Sequence, residues 1–524
     1  MDEPAVRDLS QLAERRFDVL VIGGGIIGAG IANEAARAGL SVALVDRGDF
    51  GAATSSASSK LIHGGLRYLR LGDVKLVREA HRERRALLQT VAPHLVRRLP
   101  FLFPLYRDGP YRPATMRLGL ALYSTLARDG IGGLLPPARA RQSVPDLRLE
   151  GLRSCGVYID SFTHDGRLCL ANVRATAAAG GVVANYAEVA ALRHVAGRVR
   201  GAEVRDRVSG ETLSVDARVV VNATGPWIDG VRALENPAAP PLARLSKGVH
   251  LLLKLDRPWS AALTIPHDAV RVTFAYPWQG MLLLGTTDTL YEGDPSEVGV
   301  EPADVARVLD EASVGVERDV LDPDRVRASF AGLRVLPGAG GGSSGETLTA
   351  RRETQYVFGR GGMLTVAGGK LTTYRRIALA ALERLRSELD GTQFDQSPLP
   401  LPGAAGLEDA GRRIAHRFPE LDPATRSHLL HLYGSLAEEM LAPATREPSL
   451  LEPIHPDAPD VLAQIGYARE QEWAIRPEDV LWRRTTLGHR GLADAAAARV
   501  AEGLGYPAAI DVNIDEDGRT VGRL

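Results

Sequence analysis

Residue types able to do chemistry gather in a few stretches of this 524-residue chain. Near its start Gly23, Gly25 and Gly28 stand in G-x-G-x-x-G spacing, whose glycines allow a tight turn and bring bare backbone to a pyrophosphate. A run of short hydroxyl donors follows, Thr54, Ser55, Ser56, Ser58 and Ser59, suited to a loop that tracks a cofactor's phosphates and ribityl chain. His63, Arg67 and Tyr68 come within little more than a helical turn of it. Far downstream, Gly368 and Gly369 precede Lys370, Leu371 and Thr372 in a second glycine-then-helix device, whose positive end could face an electron-rich ring. The only lysines are Lys60, Lys75, Lys247, Lys254 and Lys370, among 63 basic residues, so a lysine at Lys370 stands out where composition favours arginine.

The first cluster needs a βαβ unit to hold it. Phe17 to Ile22 is a nearly unbroken apolar run, the pattern of a strand buried on both faces. A helix opening at Ile26 and Ile27 and running to Ala38 points its N–H groups and dipole at phosphates, and Gly39 ends it. Ser41 to Val45 reads as a second buried strand, placing Asp46 where an acid accepts hydrogen bonds from ribose hydroxyls. NAD and FAD share this fingerprint, so these residues alone leave the dinucleotide open.

Lys75 to Arg128 reads as arginine-rich helices with apolar patches at Leu99 to Tyr106 and Met116 to Leu126. With Arg97, Arg98 and Arg107 beside the first patch, an anionic membrane surface is a candidate partner. Strands are expected at Val182 to Tyr186, Val199 to Val204 and Thr212 to Val221, the last running into Ala223, Thr224 and Gly225, a turn able to lie against a flat ligand. Gly248 to Thr287 reads as an antiparallel sheet, Gly338 to Gly345 as a flexible loop, and Gln355 to Ala367 as two strands before a helix reaching about Leu389. Beyond a Pro/Gly linker at Ser397 to Gly406 the pattern is helical, with Pro477 opening a helix ahead of Trp482 to Thr485.

The length calls for two or three domains. A net charge of −1 gives no global pull toward nucleic acid. Cys155 and Cys169 have neither disulfide-framework nor metal-ligand spacing, so no metal is expected and a reducing cytoplasm fits. No signal peptide or membrane span is read.

Taken together, VIGGGIIGAGIA, TSSASSKLIHGGLRYL, NATGPW, GTTDTLYEGDP, GGKLTTYR and LWRRT resemble the FAD-dependent glycerol-3-phosphate dehydrogenases from about Phe17 through Thr485. The resemblance implies an α/β, glutathione-reductase-like FAD-binding fold of the D-amino-acid-oxidase type, with an antiparallel substrate domain and a helical C-terminal cap. The expected boundaries are 17–245 and 330–392 for the FAD-binding unit, 246–329 for the substrate unit, 393–406 for a linker and 407–524 for the helical unit. Family members oxidise sn-glycerol 3-phosphate to dihydroxyacetone phosphate and pass electrons from FAD to membrane quinone. The implied location is cytoplasmic, peripheral on the inner face of the cell membrane, with a homodimer as a candidate assembly. Departures from the family pattern are Asp46 for the commoner Glu, Val249 within KGVH, and Ala331 to Val335 where SGVRP is usual.

By the same resemblance FAD contacts fall on Gly23, Gly25, Ile26, Ile27, Gly28, Asp46, Thr54, Ser55, Ser58, Ser59, Val189, Ala223, Thr224, Gly225, Gly332, Gly368, Gly369, Lys370, Leu371 and Thr372. Glycerol 3-phosphate is close to a dianion, and Arg67, Arg334 and Lys370 are the cations the family places around it, with Tyr68 and Thr286 orienting it. Hydride would pass from C2 to the flavin N5 while a base takes the hydroxyl proton. His63, with an ordinary pKa of ~6.5, is one candidate for that activation, and Arg334 at the developing alkoxide is the other. A glycerol-3-phosphate oxidase using O2 and an amino-acid oxidase of the same fold are the nearest alternatives.

Overall fold

The computed structural model describes residue 7, residues 9–66, residue 69, and residues 73–128, 132–268, 271–338 and 354–506. After a short helix at Ser10–Glu14, the elements that matter for the site are, in chain order, β1 (Arg16–Ile22), α1 (Ile26–Arg37), β2 (Val42–Val45), β3 (Leu61–Ile62), α2 (Val74–Ala86), β4 (Arg97–Tyr106) and α3 (Pro113–Ala127). There follow β5 (Gly133–Leu135), β6 (Leu152–Phe162), α4 (Asp165–Ala178), β7 (Val182–Ala184), β8 (Ala187–Val195), β9 (Arg198–Asp206) and β10 (Thr212–Asn222). The next group is β11 (Ala243–Lys254), β12 (Ala262–Pro266), β13 (Val272–Trp278), β14 (Met281–Gly285), β15 (Thr289–Tyr291) and β16 (Val326–Pro337). β17 (Gln355–Phe358), β18 (Leu364–Ala367) and α5 (Tyr374–Leu385) complete the part before the linker.

One sheet has the order β17-β18-β10-β1-β2-β7, with β9 on β10 and β8 on β9. β1 pairs in parallel with both β10 and β2. Its residues show why the apolar run is unbroken. Val19 and Val21 pack into a core with α1, α4 and α5, whereas Leu20 and Ile22 face the opposite core beside Val204 and Val215.

The second sheet runs β15-β11-β14-β13-β12-β4-β6-β3, with β16 on β11 and β5 on β6. It departs from the expected boundaries. β3, β4, β5 and β6 fall within 17–245 but hydrogen-bond into this sheet, so the second unit is assembled from separate stretches of chain. β16, shared with neither neighbour in sequence, closes it by pairing along nearly all of β11.

The same pairing corrects the reading of Leu99 to Tyr106 as a membrane-facing patch. This stretch is β4, laid between β6 and β12. Phe101, Phe103 and Leu105 fill one core and Leu102 the other, and Phe101 stacks on Tyr158 at 5.3 Å. Pro100 and Pro104 fall within this strand. The ladder to β12 covers only Phe101 and Leu102, between the two prolines, so their missing N–H groups cost little there.

After the linker, α6 (Leu407–Arg417), α7 (Pro423–Tyr433), α8 (Ala437–Leu441), α9 (Ala463–Gln471) and α10 (Ala493–Gly503) form the helical C-terminal unit around their own cores. Two buried ion pairs clamp it to the first sheet's layer. Arg167 of α4 meets Glu472 at 2.6 Å, and Arg484 reaches Asp49 with a second guanidinium, that of Arg483, on the same carboxylate. Residues 339–353, including most of the glycine-rich loop, and residues 507–524 lie outside the described residues. Among the described residues no helix is long and apolar enough to cross a membrane.

Candidate active site

A cavity of 1530 Å³ lies between the two sheets' units, larger than the ~300–1,000 Å³ that one drug-sized ligand takes. Its walls include Gly23, Gly25, Ile26, Ile27, Asp46, Thr54, Ser55, Ser58, Ser59 and Val189. Ala223, Thr224, Gly225, Gly332 and the run Gly368 to Thr372 close it on the other side. Gly28 is the one described dinucleotide residue outside these walls. A Cβ there would sit 1.8 Å from the Gly23 carbonyl oxygen, so its part is to let α1 lie close on β1.

The nucleotide end is built for a dinucleotide. Gly23 has φ +104°, and a Cβ on it would meet the Ala223 carbonyl at 2.7 Å, which keeps the two strand ends in contact. At the end of β2 the Asp46 carboxylate accepts from the Gly24 N–H at 2.6 Å and the Gly48 N–H at 2.8 Å. Burial pushes its pKa up to about 6, a cost that hydroxyl donors from a ribose would offset. Ser55 accepts from the Ile26 N–H at 2.8 Å and so caps α1 at its cavity end.

Other hydroxyls of the loop are already committed. Thr54 donates to the Leu333 carbonyl at 2.7 Å and Ser58 to Asp165 at 2.7 Å, while Ser59 is 2.9 Å from His250 Nε2. They shape the wall by pinning the loop to β16, α4 and β11. Gly332 permits that fit, because a Cβ there would lie 2.4 Å from the Ala57 carbonyl oxygen.

The same cavity also collects polar groups from three elements. Arg334 on β16 donates to Thr286 Oγ1 at 2.6 Å and to the Thr287 carbonyl at 3.0 Å, with Asp288 3.9 Å away. Gly248 makes room for this fork, since a Cβ there would be 2.3 Å from Arg334 Nη2. His63 follows β3, and its N–H donates to Thr372 Oγ1 at 3.2 Å, tying it to the turn that carries Lys370. His63, Thr286, Arg334 and Lys370 all line the one cavity. Arg67 and Tyr68 lie outside the described residues.

The sequence reading missed His250 of β11, which lines the same cavity, stacks on Phe330 at 4.9 Å and is held neutral by burial, with Arg334 and Lys60 adding to the effect. A histidine inside the apolar run VHLLL was the available signal. Asp160 and Asp165 were missed too. They take hydrogen bonds from Gly64 and Ser58, and nothing local in the sequence ties them to those partners.

Fold and site thus define a class, the flavin-dependent oxidoreductases of the D-amino-acid-oxidase type. The family profile described as FAD dependent oxidoreductase matches residues 18–375, and that of the C-terminal domain of alpha-glycerophosphate oxidase matches residues 396–508. Glycerol-3-phosphate dehydrogenase 2 of Mycobacterium tuberculosis is 37% identical, over 97% of this chain and 88% of its own length. The aerobic glycerol-3-phosphate dehydrogenase of Escherichia coli is 35% identical, over 90% of this chain and 94% of its own. The solved glycerol-3-phosphate dehydrogenase from Bacillus halodurans, complexed with FAD, superposes with a TM-score of 0.77 at 28% identity, covering 95% of this chain and 93% of that one. The chain belongs to the FAD-dependent glycerol-3-phosphate dehydrogenase family, and FAD is its cofactor.

Proposed function

We propose that this enzyme oxidises sn-glycerol 3-phosphate to dihydroxyacetone phosphate and passes the electrons to a membrane quinone at the inner face of the cell membrane. The observation that supports the reading is one cavity lined both by a dinucleotide-type wall and by Arg334, His63 and Lys370.

Bound FAD supplies the acceptor for the hydride that leaves C2. The chain's own residues do the rest. The α1 opening and Asp46 hold the dinucleotide's phosphates and ribose. Lys370, joined by Arg67, offers positive charge to the substrate phosphate. Arg334, aimed by Thr286 and the Thr287 carbonyl, stabilises negative charge as it grows on the C2 oxygen, and His63 takes the proton that oxygen loses. Thr286 sets the direction of the guanidinium, and Tyr68 is proposed to orient the substrate.

An anaerobic absorbance spectrum tests the reading. Adding glycerol 3-phosphate should bleach the flavin band while dephosphorylated glycerol leaves it, and a band indifferent to glycerol 3-phosphate refutes the substrate assignment. The match of residues 396–508 to an oxidase domain supports a second reading, with O2 as acceptor. Stoichiometric peroxide without quinone reduction would establish it.

A further inference from the structure

We infer that Asp160 of β6 is a positioning residue for the oxidation: its carboxylate holds the backbone turn behind His63 and so fixes where the imidazole stands in the cavity. The inference rests on the reading of His63 as the proton acceptor and names what aims it.

The register brings the two together. Antiparallel pairing of β3 with β6 sets Ile62 against Ser161, so the next step along each strand brings His63 and Gly64 beside Asp160. Asp160 lines the same cavity as His63 yet is only 3% exposed. A carboxylate in such a place is costly unless donors meet it. Oδ1 accepts from the Gly64 N–H at 3.1 Å and from Arg84 Nη1 of α2 at 3.1 Å, and Oδ2 accepts from the Tyr123 hydroxyl of α3 at 2.8 Å. Burial, and after it the Asp160 charge, keep the Tyr123 phenol protonated, so it remains a donor. Arg84 is anchored in turn on the Ile159 carbonyl at 2.6 Å.

The turn itself has little slack. The His63 N–H is held by Thr372 Oγ1, on the turn that carries Lys370, and the next N–H along the chain is held by Asp160. Two successive amides fixed by separate elements set the direction in which the His63 side chain leaves the backbone. Gly64 fits because it has no side chain, since a Cβ there would lie 2.1 Å from the His81 ring. Gly65, at φ +76°, makes the left-handed step that follows. Beside Arg84, Glu83 of α2 pairs with Arg375 at 3.2 Å, close behind the Lys370 turn.

One charge-assisted node therefore ties the His63 turn to α2 and α3. A base must stand within hydrogen-bond reach of the hydroxyl it deprotonates, and a displacement of about 1 Å costs about 10²-fold in rate. A purely stabilising ion pair would need only Arg84. The bond from Gly64 is the contact that carries the carboxylate's hold to the reacting atoms.

The test uses the FAD-loaded enzyme with glycerol 3-phosphate and a water-soluble dye. Asp160→Asn exchanges one acceptor oxygen for an NH2 group and removes the charge. It should lower kcat about tenfold or more while KM stays within about twofold of wild type, and amides of residues 61–66 should exchange with deuterium about tenfold faster. In a His63→Ala background the same change should cost less than about twofold, because the side chain it directs is gone. Arg84→Met/Asp160→Ala removes both charges, so neither is left buried alone. Relative to Asp160→Ala it should regain stability in urea without regaining kcat, and it takes the place of Asp160→Asn if that variant does not fold. Wild-type kcat or wild-type exchange in Asp160→Asn overturns the proposal, as does an equal loss with and without His63, or a kcat that returns with stability. Normal turnover by His63→Ala refutes the base reading and the proposal together, whereas an inactive His63→Ala beside a normal Asp160→Asn refutes the positioning role alone.

Discussion

The Lys60 ammonium and the Asp165 carboxylate meet at 2.7 Å where neither side chain touches solvent. Lys60 also donates to the Ser56 carbonyl at 2.8 Å and lies 4.9 Å and 4.8 Å from the Trp278 and Phe330 rings, while the other Asp165 oxygen holds Ser58. One buried pair thus fastens the hydroxyl loop of the cofactor wall to the start of α4 and to the second sheet. Lys60→Met strands the carboxylate and should cost about 3–5 kcal/mol of stability, with weaker FAD retention. The Lys60→Met/Asp165→Leu double variant should regain much of that loss. Urea denaturation of the three proteins decides, and a single variant as stable as wild type would show that the pair contributes nothing.

Arg334 is oriented by a fork that lysine cannot reproduce. Arg334→Lys should keep FAD and lower kcat by about 10²–10³, and Thr286→Val, which removes the hydroxyl aiming the guanidinium, should cost less. His63→Ala should retain the flavin spectrum and lose about 10²–10⁴ of kcat. Normal turnover by His63→Ala would leave Arg334 as the sole means of activation.

FAD affinity should depend on pH through Asp46. Burial raises its carboxyl to about 6 in the protein without cofactor, and ribose hydroxyls donate more strongly to the ionised form, whose two oxygens both accept. Affinity should therefore fall as pH drops below about 6 and be level above it. Fluorescence titration of the apoprotein measures this. Asp46→Asn should bind weakly and without the step, and a step of unchanged size in that variant would assign it to another group.

Acid should destabilise the fold by way of its buried histidines. Burial, first among the causes, lowers His81, His94 and His431 to about 3, and holds His164, His250 and His489 well below their ordinary value. The unfolded chain accepts these protons near pH ~6.5 and the folded chain does not, so stability is lost as pH falls below that point, by about 1.4 kcal/mol per residue per pH unit. Asp46 acts in the opposite sense between about 6 and ~4, joined by Glu34 and Asp479, whose carboxyls burial also raises. Among the described residues neither ring nitrogen of His81 has a hydrogen-bond partner. His81→Leu should flatten the acid slope in Tm measured from pH ~7 to ~5, and an unchanged slope would count against its neutral state.

What could be read from the sequence was what local spacing encodes. β1, the glycine turn, α1, β2 and Asp46 are neighbours along the chain, so their pattern carried both the fold and the nucleotide end of the cavity. β4 was misread because two prolines and an unbroken apolar run look alike in a surface patch and in a strand covered on both faces, and only partners at β6 and β12 tell them apart. The same limit hid His250, Asp160 and Asp165, each of which acts on a residue far away in the chain. The helical pattern of Met116 to Leu126 was legible, and its outward face became evident once α3 was seen against β6.

The Asp49 clamp bears on the order in which the molecule can be completed. Arg484 lies 435 positions after the carboxylate it neutralises, which stands just beyond Asp46. A chain cut short before Arg483 would leave that carboxylate without its two guanidinium counterions, a charge for water to solvate and no longer a tie between the two ends of the chain.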